Sequence, residues 1–167
     1  SHIDGSKYQL DKHQVAQSFG RAAATYNSAA QIQKWSGEQL IDGLNKHKSP
    51  QSILDLGCGT GWHSCLLKKQ FPEALVTGVD FSSEMLEYAN AHQAVSGINW
   101  LCSDAEDLAL EDSSQELIFS NFALQWCNDP SPSLVEIFRL LRGEGEFHFS
   151  VPGPKTLWEL REVWSTI

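Results

Sequence analysis

The sequence predicts an α/β fold: a mostly parallel sheet between helical layers, preceded by a helical cover. Three observations carry this expectation. A short apolar run at 53–56 ends in three alternating glycines, Gly57, Gly59 and Gly61, and a helical stretch follows directly at 62–71. A second apolar run at 75–79 comes next, so strand, glycine turn, helix and strand make one βαβ unit with parallel strands and a right-handed crossover. Three more apolar runs, ending near residue 151, bring the predicted strand count to five.

The glycine turn sets the chemistry. Glycine has no Cβ, so the turn brings backbone close to a ligand. The following helix N-terminus offers unpaired N–H groups to a polar or anionic group. A nucleotide-type pocket at the carboxyl end of a parallel strand is therefore expected. The dinucleotide fingerprint G-x-G-x-x-G is not met: Gly61 comes one residue early and Trp62 occupies the required position. Asp55, just before the turn, places a carboxylate at the mouth, which disfavours a diphosphate and suits a cationic ligand. The run Asp55-Leu56-Gly57-Cys58-Gly59-Thr60-Gly61 resembles motif I of the class I S-adenosylmethionine-dependent methyltransferases. That resemblance implies a ligand with an ammonium, a sulfonium and no phosphate, and a Rossmann-like three-layer sandwich.

The elements follow in order. Residues 1–6 read as a tag remnant, and 1–9 are set aside. Residues 11–47 are helical, with Val15, Phe19, Ala22, Ala23 and Tyr26 at helical spacing. Gly20 and then Asn27-Ser28 interrupt this pattern. A second helix carries Ile32, Trp35, Leu40 and Leu44, and Ser49-Pro50 ends it. The 10–50 region is expected to cover the pocket, and 51–167 to form the ligand-binding core. Asp80 ends the second strand, where a carboxylate accepts from ribose hydroxyls. Ser82 is the expected N-cap of the next helix and Glu84 suits its dipole. Phe81 and Met85 offer apolar surface to an adenine. A third strand at 98–102 leads into Ser103, Asp104, Ala105 and Glu106, where Asp104 would accept from the adenine amino group and the backbone would read the ring edge. The fourth strand, 116–121, delivers Asn121 and Phe122 beside the methyl donor. A helix at 132–141 has Ser131 at its start, Pro132 in its first turn and Gly143 as its stop. The alternating 145–151 run is the fifth strand. His63 and His148 read as structural.

Composition bounds the partners. The chain has 167 residues, is 41% hydrophobic and carries a net charge of −9, which fits one domain and argues against broad nucleic-acid binding. Residues 1–50 hold six Lys/Arg against four Asp/Glu, while 51–167 hold six against seventeen. Cys58, Cys65, Cys102 and Cys127 lack zinc-like spacing, so they are expected as free thiols in a cytoplasmic protein without a metal. No apolar run is long enough to span a membrane.

A narrower resemblance is carried by Phe19-Gly20-Arg21-Ala22-Ala23-Ala24-Thr25-Tyr26, by residues 54–61, by Ser120-Asn121-Phe122-Ala123-Leu124-Gln125-Trp126-Cys127 and by Thr156-Leu157-Trp158-Glu159-Leu160. Together they are similar to the malonyl-acyl-carrier-protein O-methyltransferases of biotin synthesis, the BioC family, over residues 10–167. The resemblance implies methyl transfer from S-adenosyl-L-methionine, leaving S-adenosyl-L-homocysteine, to the free carboxylate of a malonyl thioester on acyl-carrier protein or coenzyme A. It also implies a C-terminal portion beyond this chain, since the family's sheet has seven strands. The carboxylate is ionised at neutral pH, so no general base is expected. Tyr26 is the candidate to orient it, Arg21 to draw in the anionic substrate, and Trp126 to line the substrate side. Two alternatives stand beside this reading: another small-molecule methyltransferase of quinone or sterol type, and a domain that binds the cofactor without turnover.

Overall fold

A computed structural model of the chain describes residues 27–121, 123–124 and 129–151. Within them the elements run α1 (Asn27–Asp42), β1 (Ser52–Leu56), α2 (Trp62–Gln70), β2 (Leu75–Asp80), α3 (Ser83–His92), β3 (Ile98–Cys102), β4 (Gln115–Asn121), α4 (Ser131–Leu140) and β5 (Leu141–Ser150). Five strands form one sheet in the order β3-β2-β1-β4-β5, and every pairing is parallel. Parallel sheets are buried on both faces, which is why their strands read as continuous apolar runs. β1 sits at the centre with Ile53, Leu54 and Leu56 almost fully enclosed.

Alternation along the strands splits the core in two. Ile53, Val76, Leu117 and Phe119 meet Leu67 of α2, Phe71 just after it and Ile41 of α1. Leu54, Leu56, Val79 and Ile118 face the other way, against Ile137 and Leu140 of α4. The chain leaves β3 at one edge and re-enters the sheet as β4 on the far side of β1. The order therefore reverses between β1 and β4, and the crevice outside their carboxyl ends is where open α/β sheets bind ligands.

Three expectations need correction. Asn27 and Ser28 are themselves helical, within α1 (Asn27–Asp42), which ends well before Ser49-Pro50. Trp35 is not part of its buried stripe, being 63% exposed, because the helix docks mainly through Gly37 and Ile41. Gly143 is no helix stop. α4 ends at Leu140, Leu141 is already extended, and β5 begins there. Both Gly143 and Gly145 lie where the register with β4 slips, from Gln115↔Leu141 to Leu117↔Glu146. A Cβ at Gly145 would lie 3.0 Å from the Arg142 carbonyl and 3.1 Å from that of Gln115. Gly145 thus serves an irregular strand start, and Gly143 lies within β5 rather than at a helix cap.

Candidate functional site

The carboxyl ends of β1, β2, β3 and β4 gather most of the expected site residues along one edge. The loop between β1 and α2 is built from three left-handed glycines, Gly57 (φ 75°), Gly59 (φ 53°) and Gly61 (φ 80°), a region that costs a side-chain-bearing residue ~1–2 kcal/mol. Gly57 and Cys58 both donate their N–H to the Val79 carbonyl, at 2.7 and 2.8 Å, which folds the loop back over the end of β2. Each glycine has its own second reason. A Cβ at Gly57 would lie 2.1 Å from the Ala123 Cβ, so the segment after β4 rests directly on the loop. A Cβ at Gly61 would lie 2.5 Å from the Trp100 ring. At Gly59 only the Met85 Cε comes within 4 Å, at 3.8 Å. Gly59 therefore faces open space beside Met85, and the other two glycines admit protein neighbours.

Asp80 links the loop to α3. Its Oδ2 accepts from the Gly59 N–H at 2.9 Å and its Oδ1 from the Ser82 N–H at 2.8 Å. Burial raises its pKa above the ordinary carboxylate value, and the backbone N–H groups of Ser82, Gly59 and Phe81 oppose that rise. Ser82 caps α3 as expected, its hydroxyl accepting from the Met85 N–H at 3.3 Å. Phe81 and Met85 are half-buried beside it.

Asp55 does not lie at an open mouth. It is 2% exposed, on the face of β1 that meets α2, and its Oδ2 accepts from the Ser64 hydroxyl at 2.6 Å. Burial, first of all, pushes its carboxyl up to about 7, with a smaller contribution from the Asp80 charge and an opposing one from Ser64. The acid sits beneath the glycine loop and ties it to α2. Cys58 is likewise turned inward, against Gly78, and burial lifts its thiol pKa well above the usual range.

Ser103, Asp104, Ala105 and Glu106 follow β3 and are half-buried. The Ser103 N–H donates to the Asp80 carbonyl at 3.1 Å, placing this turn beside β2. Asp104 Oδ1 accepts from the Glu106 N–H at 2.9 Å, an Asx-type turn that commits one of its acceptor positions locally. Arg139 of α4 braces the connection that follows, donating to the carbonyls of Leu108 and Leu110 and to Glu136 and Asp112. Asn121 is buried at the end of β4. Its Nδ2 donates to the Gln33 carbonyl at 2.8 Å and its Oδ1 accepts from the Ser150 hydroxyl, so the side chain joins α1, β4 and β5. Arg21, Tyr26, Phe122 and Trp126 lie outside the described residues.

Several contributors carry no motif. The 33–38 turn of α1 is tied down by Asn121, by His63, whose Nε2 lies 3.2 Å from the Lys34 carbonyl, and by the Trp62 indole, which donates to Glu38 at 3.1 Å under the Lys34 ammonium. Burial lowers the pKa of His63, in line with its structural reading. Trp100 fills the space beneath the loop, against Gly61 and Gly78. One signal could have found it: glycine inside a strand marks a close approach, and Gly78 pairs in register with Trp100. Gln93, just past α3, donates to the Thr60 carbonyl at 2.8 Å; nothing in its sequence surroundings marks it. Among the described residues no cluster of three His, Cys, Asp or Glu side chains could hold a metal, and no helix is long and apolar enough to cross a membrane.

Comparison with known proteins adds to this geometry. The family described as "Methyltransferase domain" matches residues 54–149, more than half of the chain. A malonyl-[acyl-carrier protein] O-methyltransferase of Hahella chejuensis is 44% identical over 155 residues, covering 93% of this chain and 55% of the relative. The biotin biosynthesis bifunctional protein BioHC of Cellvibrio japonicus is 39% identical over 158 residues, covering 95% of this chain and 31% of that one. The chain spans about half the length of the curated malonyl-[acyl-carrier protein] O-methyltransferases it matches. Among solved structures, a putative S-adenosylmethionine-dependent methyltransferase of Listeria monocytogenes superposes with a TM-score of 0.63 at 27% identity, covering 74% of this chain and 56% of that one. A putative methyltransferase solved with the Haloferax volcanii Trm112 activator reaches 0.73 at 23% identity, covering 87% and 67%, a likeness of fold alone.

Proposed function

The chain belongs to the methyltransferase-domain family, and from that premise we propose that it binds S-adenosyl-L-methionine along the carboxyl edge of β1, β2 and β3. We further propose that the longer protein it matches uses this site to methylate the free carboxylate of a malonyl thioester in biotin synthesis. The observation that carries the first part is the Asp80 bridge. A carboxylate at the end of β2 holds the Gly59 amide of the loop on one oxygen and the Ser82 amide of α3 on the other. A carboxylate has about four acceptor positions, and the three backbone N–H groups do not use them all, which leaves room for a ribose hydroxyl. The residues fit the cofactor in other respects as well. The loop presents backbone without a Cβ at Gly59, Met85 and Phe81 offer apolar surface beside it, and Ser103, Asp104, Ala105 and Glu106 lie next along the edge. The second part rests on identity to the malonyl-[acyl-carrier protein] O-methyltransferases over nearly the whole chain.

When bound, the cofactor supplies a methyl group on a sulfonium. The protein's share is placement and exclusion of water. A substrate carboxylate has a pKa near 4 and is ionised at neutral pH, so no side chain needs to remove a proton. Holding that carboxylate in line, stripped of its hydration, can lower a barrier by ~7–11 kcal/mol. Tyr26 is proposed to orient it through its phenol, Arg21 to attract it, Trp126 to line the substrate side, and Asn121 and Phe122 to line the donor side. Asp55 serves from below, anchoring the loop to α2 through Ser64. Acyl-carrier protein is the favoured carrier, with the coenzyme A thioester as the alternative; nucleic acid is not a proposed partner, and the site of action is cytoplasmic.

Calorimetric titration with S-adenosylhomocysteine tests the first part, with Asp80→Ala as the control and circular dichroism to verify that the variant folds. Wild-type binding that the variant abolishes is expected; equal binding by both overturns the assignment of Asp80. Mass spectrometry of malonyl-acyl-carrier protein and malonyl-CoA incubated with the longer protein tests the second. A methyl ester is expected, and its absence from both, with cofactor bound, points to a quinone-type methyl acceptor instead.

A further inference from the structure

The glycine loop is held from a side that its own motif does not reach. Gln93 follows the last residue of α3, and its backbone N–H closes that helix on the Ala89 carbonyl at 3.0 Å. Its side-chain amide then spans to the loop: Nε2 donates to the Thr60 carbonyl at 2.8 Å, while Oε1 accepts from the Cys65 thiol of α2 at 3.3 Å. The thiol is a donor here, because burial keeps it protonated, and that sets which end of the amide faces Thr60. The other end of the same peptide unit is also engaged, since the Gly61 N–H donates to the Cys58 carbonyl at 2.9 Å. The Thr60–Gly61 peptide is planar, so bonds on its C=O and its N–H together fix its orientation.

This matters because glycine tolerates φ of either sign at little cost. A peptide unit bordered by Gly61 and close to Gly59 can turn over cheaply if nothing holds it. Turning it over would break the bonds at both of its ends and displace the backbone next to Gly59. We propose that Gln93 is a positioning residue for cofactor binding: by holding the Thr60 carbonyl toward α3, it keeps the loop in the conformation that leaves the open face of Gly59 to the ligand. The inference rests on the reading of this edge as the S-adenosylmethionine site. It requires no contact between Gln93 and the ligand.

Gln93→Met keeps the length and removes both the donor and the acceptor. Gln93→Glu keeps the acceptor for Cys65 but turns an oxygen toward the Thr60 carbonyl, and Gln93→Lys restores a donor. Losing one hydrogen bond of this kind weakens binding about three- to tenfold. The Met and Glu variants are therefore expected to bind S-adenosylhomocysteine that much more weakly in calorimetry, and Lys to stay within about threefold of wild type. In the ligand-free chain, amide exchange at Gly61 should accelerate in Met and Glu, with β1 and β2 as protected as before and the thermal midpoint little changed. Wild-type affinity and wild-type Gly61 exchange in both variants would overturn the proposal. So would a uniform rise in exchange with a lowered midpoint, which would make Gln93 a general stabiliser. Failure of the wild-type chain to bind S-adenosylhomocysteine would instead refute the site reading and with it the cofactor role of Gln93.

Discussion

Asp55→Asn should make the stability of this chain less sensitive to pH. In the fold the Asp55 carboxyl is raised from an ordinary 3.8 to about 7, chiefly by burial. A carboxyl with a higher pKa folded than unfolded binds more protons in the folded state. Stability is then greatest below the unfolded value, falls as pH rises through the window, and levels off above the folded value. A rise from 3.8 to about 7 corresponds to about 4 kcal/mol at 1.36 kcal/mol per pH unit, of which about 3 kcal/mol develops between pH 4.5 and 7.5. That is a large share of a typical domain stability of ~5–15 kcal/mol. Asparagine removes the charge and keeps an oxygen that can accept from Ser64. Urea unfolding of wild type and variant, followed by tryptophan fluorescence at pH 4.5, 6 and 7.5, reads the difference directly. The variant should gain on wild type by about 3 kcal/mol across that range. Because the Asp80 charge contributes to the rise, Asp80→Asn should move the window to lower pH. A gap between wild type and Asp55→Asn that stays level, or one that closes as pH rises, would refute the argument that burial outweighs the Ser64 bond at Asp55.

Three other outcomes follow from the same geometry. Gly57→Ala should cost more than Gly59→Ala: both incur left-handed strain of ~1–2 kcal/mol, but only at position 57 would the new Cβ lie 2.1 Å from Ala123, and equal losses in thermal unfolding would contradict this. Gly78→Ala places a Cβ 2.6 Å from the Trp100 ring, so pairing it with Trp100→Leu should recover stability with a coupling of ~0.5–3 kcal/mol in a double-mutant cycle, whereas additive effects would remove Trp100 from beneath the loop. Arg139→Ala frees the carbonyls of Leu108 and Leu110 and unpairs Glu136, which accepts from the Leu108 N–H at 2.8 Å; faster amide exchange at Leu108 is expected, and unchanged exchange would mean the brace is not needed.

Much of this molecule is legible one segment at a time. Apolar runs bounded by turn residues predict β1 to β4 to within a residue or so, because strands buried on both faces must be apolar throughout. The three glycines announce a loop where backbone adopts positive φ, and Ser82 announces the start of α3, since both are local requirements of chain geometry. The acid that ends β2 is readable for the same reason, as strand end and helix start are adjacent in sequence. The misreadings are also local. Gly143 looks like a helix stop because sequence cannot distinguish a glycine that ends a helix from one that admits an irregular strand register.

Only the tertiary structure decides which face each residue meets. Asp55 reads as a ligand-facing acid until the fold buries it against Ser64, nine residues on. Asn121 reads as a pocket residue, and only the fold shows that its amide also holds Gln33, eighty-eight residues back. Trp100, Gln93 and the turn of α1 over Trp62 and His63 carry no motif, because their contacts join segments whose separation along the chain says nothing about their distance in space. Periodicity and turn chemistry determine what each segment becomes. Close packing across the switch between β1 and β4 determines which of those segments build the site.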